Sequence, residues 1–367
     1  MVETDVFVAG GGPAGLAAAI GLRRKGLRVL VADGSRPPVN KACGEGLMPD
    51  SLAAARALGV EIPREAGFAF SGIRFVGPRE QVAAAFPEGE GLGVRRTVLH
   101  SLLLERAARA GVEFRWSQPV TGIDAGGAYA GGERIAARWI VGADGGQSSV
   151  RRWAGLDRMI RNTQRYAFRR HYEVRPWAPY VEIHWGRDCQ FYITPVAANE
   201  VCVVVITRDS HLRMEEALAG FPVLRARLDG ARITDPEQGA ATAMRKLCRV
   251  TRGRVALIGD ASGSVDAITG EGLCLAFRQA AVLADAIAGG RLERYAAAHR
   301  RMARRPAFMA GLMLLMDRIA GVRERALHAL AGRPELFADL LAMHVGMLPA
   351  WQFARMGVVL GGRMLAA

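Results

Sequence analysis

The feature that most constrains the fold is a glycine-rich turn near the start of the chain. The turn reads Gly10-x-Gly12-x-x-Gly15, follows a short apolar run at residues 6–8 and precedes a stretch rich in alanine and leucine. This order predicts a strand, a tight turn and a helix. In such a turn the first glycine permits the bend, the second lets a pyrophosphate approach the backbone, and the third lets the helix pack against the strand.

A second apolar run, at residues 28–32, ends in Asp33, which lies 18 residues after Gly15. This is close to the spacing of about 20 residues at which an acidic side chain reaches the ribose of an adenosine. A lone glycine pattern can also be a plain connection between a strand and a helix. Because the strand, the helix, the second strand and the acid all occur together, the unit predicts a dinucleotide site at the helix N-terminus.

Two later segments also place a glycine and an aspartate after a strand. Asp144 and Gly145 follow a predicted strand at residues 138–141, and these residue types suit a turn whose backbone approaches a ligand. A later buried strand ends in Gly259 and Asp260. Ligands bind at the carboxyl ends of strands in open α/β sheets, so we expect these turns to face the same ligand.

The segment from about residue 157 to residue 250 has a different character. Its alternating stretches, for example residues 180–185 and 201–206, predict an antiparallel sheet, and the chain beyond residue 276 has a helical pattern. We therefore predict a mixed fold, α/β plus antiparallel β, in which a Rossmann-like domain is interleaved with a β-sheet substrate domain and followed by helices. The predicted boundaries are residues 1–75, 94–156 and 250–300 for the nucleotide-binding domain, 76–93 and 157–249 for the sheet domain, and 301–367 for the C-terminal helical region.

The composition restricts the binding partners and the cellular compartment that we predict. The net charge is +14, but lysine occurs at only three positions and every other cation is arginine, which favours a scattered basic surface over a nucleic-acid patch. The five cysteines and the histidines His100, His171 and His184 show no metal-like spacing, so we predict no metal and a reducing cytoplasm. The first strand begins almost at once, and the apolar run at residues 307–316 is too short to span a bilayer.

The three motifs together resemble the p-hydroxybenzoate-hydroxylase-like flavoproteins, which carry a Gly-x-Gly-x-x-Gly turn, a mid-chain Asp-Gly and a late Gly-Asp-Ala in this order. The resemblance covers residues 1 to about 300. Within that superfamily the chain is most similar to the geranylgeranyl-reductase-like branch, on the basis of Cys43-Gly-Glu-Gly, Thr269-Gly-Glu-Gly and Gly263, where many hydroxylases carry histidine. Ala267 departs from the proline usual in both branches, and the Trp-x-Trp-x-Ile-Pro signature of flavin-dependent halogenases is absent.

The resemblance implies FAD as the cofactor. It places the glycines of the first turn on the pyrophosphate, Asp33 on the adenosine ribose, Asp260 on the ribityl and pyrophosphate region, and residues 270–272 beside the isoalloxazine. Because the chain has one dinucleotide fingerprint, NAD(P)H or another donor would visit transiently. The cofactor-binding residues predicted in this way are Gly10, Gly12, Pro13, Ala14, Gly15, Asp33, Cys43, Gly44, Arg96, Val120, Asp144, Gly145, Gly259, Asp260, Gly270, Glu271 and Gly272.

The sequence leaves the catalytic residues open. Cys43 is a candidate redox thiol or a packed apolar side chain, and Glu45 and Glu271 are each a candidate proton donor or a satisfied loop carboxylate. Tyr192 and Trp185 are candidate substrate contacts by resemblance or plain core aromatics.

The reaction also has alternatives. We expect an FAD-dependent oxidoreductase that acts on a lipophilic molecule such as an isoprenoid, polyketide or phenolic lipid. Hydride reduction of a C=C bond is favoured, aromatic hydroxylation with O2 is the alternative, and a non-catalytic flavin-binding protein is the third. The segment from Arg300 carries eight of the thirteen methionines and a cluster of arginines, which suits a lipophilic groove, helix packing or peripheral membrane contact.

Overall fold

The computed structural model describes residues 2–348, except for the side chains of Val2 and Asn162. The strands in this part of the chain are β1 (Val2–Ala9), β2 (Val29–Asp33), β3 (Gly46–Leu47), β4 (Phe68–Phe70), β5 (Gly72–Val76), β6 (Gln81–Ala85), β7 (Gly91–Gly93), β8 (Glu113–Trp116), β9 (Val120–Asp124), β10 (Gly127–Ala130), β11 (Glu133–Gly142), β12 (Met159–Glu173), β13 (Tyr180–Trp185), β14 (Cys189–Ala197), β15 (Glu200–Thr207), β16 (Arg232–Leu247), β17 (Thr251–Arg252) and β18 (Val255–Leu257). The α-helices are α1 (Pro13–Arg23), α2 (Pro49–Ala57), α3 (Arg96–Arg109), α4 (Ser149–Trp153), α5 (Met214–Leu218), α6 (Pro222–Leu228), α7 (Gly272–Ala288), α8 (Leu292–Met302), α9 (Arg304–Arg318), α10 (Ala320–Ala331) and α11 (Pro334–His344).

The first sheet carries the predicted strand, turn and helix. Its order is β17-β18-β11-β1-β2-β8, with β9 and β10 attached beside β11, and β1 pairs in parallel with both β2 and β11. The central strand β1 is buried on both faces, as the continuous apolar run in its sequence predicts. On one face α1 packs closely against α7, because Gly21 has no side chain to keep Ala284 away.

The second sheet has seven strands in the order β16-β12-β15-β14-β13-β5-β6. Its pairs are antiparallel except β13 with β5, so the predicted mixed fold with a largely antiparallel second sheet is confirmed. The boundary drawn after residue 75 is wrong, because it cuts β5, which belongs to this second sheet. In addition, β7 pairs with β3 and β4 in a small third sheet. Both pairings join segments far apart in the chain, which a local pattern does not reveal.

Helices cover both faces of the second sheet. Phe191 and Val203 pack beneath α5 and α6, while Phe75 and Ile183 pack against α9, α10 and α11 on the other face. This double burial explains why β14 and β15 are apolar almost throughout. The predicted C-terminal helical region is present from α9 to His344, and its remainder from residue 349 lies outside the described residues. Within residues 2–348, no helix is both long enough and apolar enough to cross a membrane.

A buried polar network joins the C-terminal helices to the second sheet. Arg165 of β12 donates to Asp266 at 3.0 Å and to Asp317 of α9 at 3.4 Å. Gln190 of β14 and Arg208 also donate to the Asp317 carboxylate. Because Asp317 and Arg165 are both buried, removal of either partner would leave an uncompensated charge in a low-dielectric interior.

We expect the substitution Asp317→Ala to destabilise the protein by about 3 kcal/mol, since it leaves Arg165 buried with one carboxylate partner fewer. Urea denaturation followed by far-UV circular dichroism measures the change, and Asp339→Ala on the exposed face of α11 is the control. Equal unfolding midpoints for the two variants would show that the network does not hold α9 on the sheet.

Candidate functional site

One cavity of about 820 Å³ lies where the carboxyl ends of the first sheet meet the second sheet and the C-terminal helices. All three predicted turns contribute to its wall. The predicted site residues that line it are Gly10, Gly12, Pro13, Ala14, Asp33, Cys43, Gly44, Glu45, Arg96, Val120, Asp144, Gly145, Tyr192, Gly259, Asp260, Gly270 and Gly272. Gly15, Glu271 and Trp185 do not line it.

The three glycines of the first turn differ in their surroundings. Gly10 has φ +108°, and a β-carbon there would lie 2.4 Å from the carbonyl oxygen of Ala143. A β-carbon on Gly15 would lie 1.9 Å from the carbonyl oxygen of Gly10, so Gly15 allows α1 to pack onto the turn. A β-carbon on Gly12 would meet nothing within 4 Å. The open space at Gly12, beside the N-terminus of α1, fits a pyrophosphate.

Asp33 is held at the end of β2 with its carboxylate in the cavity wall. Its Oδ2 accepts the N–H of Gly11 at 2.7 Å, and its Oδ1 accepts the N–H of Ser35 at 2.7 Å. Each oxygen keeps a second lone pair, so the carboxylate can also accept ribose hydroxyls, as the sequence predicts.

Arg96, the first residue of α3, presents its side chain to the same cavity. Its Nε is buried and has no hydrogen-bond partner among the described residues. A buried N–H without a partner is costly, so this atom fits a site whose ligand brings polar oxygens.

The second turn is stabilised by its own aspartate. Asp144 Oδ2 accepts the N–H groups of Ser149 and Val150 at 2.7 and 3.1 Å, and Oδ1 accepts the hydroxyl of Ser148. The Asp144 carboxylate therefore caps α4, and Gly145, with φ +79°, brings the backbone to the cavity.

The third turn begins at Gly259, whose N–H donates to Gln279 of α7 at 2.8 Å. Asp260 follows at the cavity edge, with its Oδ2 3.8 Å from Lys41 Nζ. Further on, Ala267 stands where the resemblance predicts a proline, and the turn around it has a side-chain cap. Asp266 Oδ1 accepts the N–H of Ile268 at 3.1 Å, so this loop is fixed by hydrogen bonding.

Glu45 is a satisfied carboxylate. It is buried in a left-handed conformation with φ +58°, and it accepts the N–H of Arg96 at 2.8 Å, Arg169 at 2.9 Å and His171 Nε2 at 2.7 Å. Burial alone would raise the pKa of Glu45, but the hydrogen bond from His171 and the charge of Arg169 outweigh it and lower the pKa. The lowered pKa favours the ionised carboxylate, which fits the alternative of a satisfied loop carboxylate better than that of a proton donor.

Glu45, His171 and Cys202 form a cluster that the sequence spacing does not show. One ligand atom from each lies within 4.8 Å of the others. The guanidinium of Arg169 already occupies a Glu45 oxygen, and burial raises the pKa of the Cys202 thiol well above its usual value. A cation would have to compete with an arginine and deprotonate this thiol, so the cluster is better suited to holding the Cys43–Glu45 loop on β12 and β15.

Cys43 lines the cavity as a partly exposed free thiol. Its Sγ accepts the N–H of Glu45 at 3.4 Å, and its backbone oxygen accepts Cys202 Sγ at 3.6 Å. Both its packing role and its redox role remain predictions.

The two predicted substrate aromatics have different positions. Tyr192 of β14 lines the cavity and donates its hydroxyl to the carbonyl oxygen of Ile268 at 2.9 Å. Trp185 of β13 packs in the apolar core, with its ring centroid 5.5 Å from that of Phe75. The predicted substrate contact of Trp185 is therefore not supported, and the alternative of a core aromatic describes it.

Glu271 differs from Glu45 although both stand in a Gly-Glu-Gly segment. Its side chain is buried, its Oε1 lies 3.6 Å from Arg305, and its Oε2 has no hydrogen-bond partner within residues 2–348. Burial raises the pKa of Glu271, and the nearby charges of His344 and Arg305 oppose this rise only in part.

His344, at the end of α11, is a cavity residue that the sequence analysis missed. It lies seven residues after Phe337 and three after Leu341, on the apolar stripe of α11. A single histidine on such a stripe is the signal that could have identified it.

The wall opposite the turns is apolar. It is built by side chains from the second sheet, from β4 of the third sheet and from α9, α10 and α11. Its members include Phe70, Ile73, Phe75, Val181, Ile183, Val204, Ile206, Met309, Leu312, Met313, Met316, Ala326, Leu330, Phe337, Leu340 and Leu341. The cavity thus has a polar, glycine-lined end and an apolar end.

Comparison with known proteins agrees with this geometry. The family described as FAD binding domain matches residues 3–294. A digeranylgeranylglycerophospholipid reductase of Methanothrix thermoacetophila is 27% identical over 326 residues, which cover 79% of this chain and 80% of that protein. Rifampicin monooxygenase of Streptomyces venezuelae is 34% identical over 165 residues, which cover 41% of this chain and about a third, 34%, of that protein.

A flavoprotein/dehydrogenase from Cytophaga hutchinsonii has the same fold. Its crystal structure matches with a TM-score of 0.78 at 19% identity, over 94% of this chain and 93% of that one. The predicted resemblance and the predicted FAD cofactor are confirmed by these matches, and both named relatives are enzymes.

The first turn yields a prediction that separates packing from FAD binding. We expect Gly15→Ala to cost about 2 kcal/mol of stability, because its methyl group would overlap the Gly10 carbonyl. Gly12→Ala should leave the stability of the FAD-free protein unchanged but weaken FAD binding at least about tenfold, since its methyl takes the space of the pyrophosphate.

Thermal unfolding of the FAD-free chains and fluorescence titration with FAD measure these two effects. The control is Gly321→Ala in α10, where a β-carbon also meets nothing within 4 Å. Normal FAD affinity in the Gly12→Ala protein would contradict the placement of the pyrophosphate.

Proposed function

Because this chain belongs to the FAD-binding-domain family and is an FAD-dependent oxidoreductase, we propose that it reduces a carbon–carbon double bond of a lipophilic molecule. The observation that carries the proposal is the two-ended cavity. Its polar end has the three turns suited to FAD, and its apolar end has the methionine, leucine and phenylalanine side chains suited to a hydrocarbon chain.

The proposed division of labour follows from these two ends. Bound FAD supplies the redox chemistry, and a transient donor such as NAD(P)H supplies the electrons. The chain holds the cofactor on its turns, while the apolar wall orients the substrate and excludes water. Thioether side chains adapt to irregular apolar shapes, so Met309, Met313 and Met316 suit a flexible isoprenoid or polyketide chain.

Two features support reduction over hydroxylation. Gly263 has φ +106°, and a β-carbon there would lie 2.6 Å from the carbonyl oxygen of Arg245, so the histidine of many hydroxylases has no room. Glu271 is a buried carboxyl whose pKa is raised, and a C=C reduction needs a proton besides the hydride. Hydroxylation remains the second candidate, since rifampicin monooxygenase is among the relatives.

An assay with and without oxygen tests the proposal. We expect the FAD-loaded protein, reduced by dithionite without oxygen, to convert digeranylgeranylglycerophospholipid to products heavier by two hydrogens per bond. A long-chain alkylphenol serves as the aromatic probe under air with NADH or NADPH. A product one oxygen heavier, formed only in air, together with no anaerobic lipid reduction, would establish the hydroxylase instead.

We also propose that α9 contacts a membrane surface from which the substrate enters. Met309, Met313 and Met316 of this helix line the cavity. Leu315, which also lines it, and Ile319, which follows the helix, are 45% and 48% exposed. Exposed arginines stand at both ends of α9, and cations beside an apolar face favour anionic lipid surfaces.

We expect the protein to sediment with vesicles of phosphatidylglycerol and phosphatidylcholine, and the double variant Leu315→Glu/Ile319→Glu to lose most of this binding. The two substitutions remove exposed apolar area and add negative charge, and both changes weaken binding to an anionic lipid surface. The control is Val223→Glu, a 65% exposed position of α6 on the far face of the second sheet. If the double variant and the control sediment equally with the vesicles, α9 does not contact the membrane surface.

A further inference from the structure

We propose that Glu271 and His344 act as one proton-donating pair, in which His344 delivers the proton to the substrate at the cavity wall. The inference rests on the proposed double-bond reduction and deepens it. Glu271 immediately precedes α7, and His344 closes α11, so the pair joins the third turn to the C-terminal helices. His344 lines the cavity and Glu271 lies behind it.

One hydrogen bond shows which ring nitrogen of His344 carries a hydrogen. Its Nε2 lies 3.1 Å from the carbonyl oxygen of Thr269. A backbone carbonyl can only accept a hydrogen bond, so Nε2 carries a hydrogen. The ring therefore offers an N–H next to a cavity-lining residue, and its Nδ1 points away from Thr269.

The other side of the ring faces Glu271. His344 Nδ1 and Glu271 Oε2 are 3.8 Å apart, and each is buried without a hydrogen-bond partner in the described part of the chain. Two lone pairs or two hydrogens facing each other here would be unfavourable. At 3.8 Å the two atoms are too far apart for a hydrogen bond. The proposed pair therefore carries one proton on Glu271 Oε2, facing the Nδ1 lone pair, where a small side-chain movement makes one hydrogen bond that satisfies both atoms.

The surrounding charges allow the pair to lose a proton. Arg305 lies 3.6 Å from Glu271 Oε1 and 3.5 Å from Asp50, and Arg278 lies 3.0 Å from the same Asp50 carboxylate. Asp50 also accepts Cys274 Sγ at 3.3 Å. The cluster thus contains two guanidinium groups and two carboxyl groups. Arg305 can stabilise the anion of Glu271 after Glu271 has lost its proton.

The proposed step balances in atoms and electrons. The π bond of the substrate breaks, and one carbon receives a hydride from the reduced flavin. The Nε2–H of His344 leaves the Thr269 carbonyl oxygen, and its proton forms the second C–H bond on the other carbon. The substrate gains two electrons and the flavin is oxidised. The shared proton then resides on Nδ1 facing the Glu271 carboxylate, and a proton from water restores Nε2–H after product release.

The structure offers a matched control for this pair. Glu182 and His184 of β13 form a second buried carboxylate–imidazole pair, with His184 Nε2 2.9 Å from Glu182 Oε2, and neither residue lines the cavity. A substitution there removes a buried histidine of the same kind without touching the proposed proton donor.

The experiment uses the full-length FAD-loaded chain, reduced anaerobically and mixed with digeranylgeranylglycerophospholipid. We expect His344→Gln to slow reoxidation of the flavin by the lipid about 100-fold, while FAD content and the rate of flavin reduction stay at the wild-type level. His184→Gln should behave as wild type. A His344→Gln protein that reduces the lipid as fast as the His184→Gln protein would overturn the proposal.

A second measurement needs no turnover. In the FAD-loaded chain without lipid, NMR of the His344 ring nitrogens should show a hydrogen on Nε2 and, on Nδ1, a lone pair that accepts a hydrogen bond from Glu271. Glu271→Ala should move the Nδ1 signal to that of a lone pair without a donor, and Glu182→Ala should leave it unchanged. An Nδ1 signal that does not move in Glu271→Ala would refute the shared proton. If the wild type fails to reduce the lipid, the proposed function fails, and this spectrum still decides whether the pair exists.

Discussion

The close approach of Gly15 to the carbonyl oxygen of Gly10 is the constraint on which the site depends. A β-carbon would lie 1.9 Å from that oxygen, so α1 rests directly on the turn that leads out of β1. The same turn passes the Ala143 carbonyl, because Gly10 also lacks a side chain. These two contacts bring the N-terminus of α1 beside the ends of β1 and β11. The open space at Gly12 is a consequence of this packing.

Buried charge links the other layers to this turn. Arg169 and His171 of β12 hold Glu45, and Glu45 in turn accepts the N–H of Arg96, so the Cys43 loop, the second sheet and α3 share one network. Burial removes water from each of these charged groups, which costs free energy. A buried ion pair therefore adds little net stability compared with apolar side chains in the same place. Its contribution here is geometric, since donors from β12 and α3 hold Glu45, and a donor from β15 holds the Cys43 backbone at the cavity wall.

Features that depend on contacts between neighbouring residues could be predicted from the sequence, whereas features that depend on contacts between distant parts of the chain could not. The first turn and the helix at Arg96 depend on neighbours within a few residues, and local patterns described them. The place of β5 in the second sheet depends on β13, about a hundred residues later, and the predicted boundary missed it. Tyr192 and Trp185 stand on adjacent strands with similar alternation. Both belong to one apolar cluster built from distant parts of the chain, and no local pattern shows that Tyr192 meets the cavity and Trp185 does not.

The two Gly-Glu-Gly segments show why residue type alone does not assign chemistry. Glu45 receives hydrogen bonds from an arginine, an imidazole and a backbone N–H, so the folded protein favours its anion. Glu271 is as deeply buried, but its Oε1 lies 3.6 Å from Arg305 and its Oε2 has no hydrogen-bond partner among residues 2–348, so burial raises its pKa. The sequence is the same over three residues, and the difference comes from β12 in one case and from α9 and α11 in the other. The surroundings of the two glutamates are therefore set by the elements that pack behind the loops, and the C-terminal helices that build the apolar wall also place Arg305 and His344 beside Glu271.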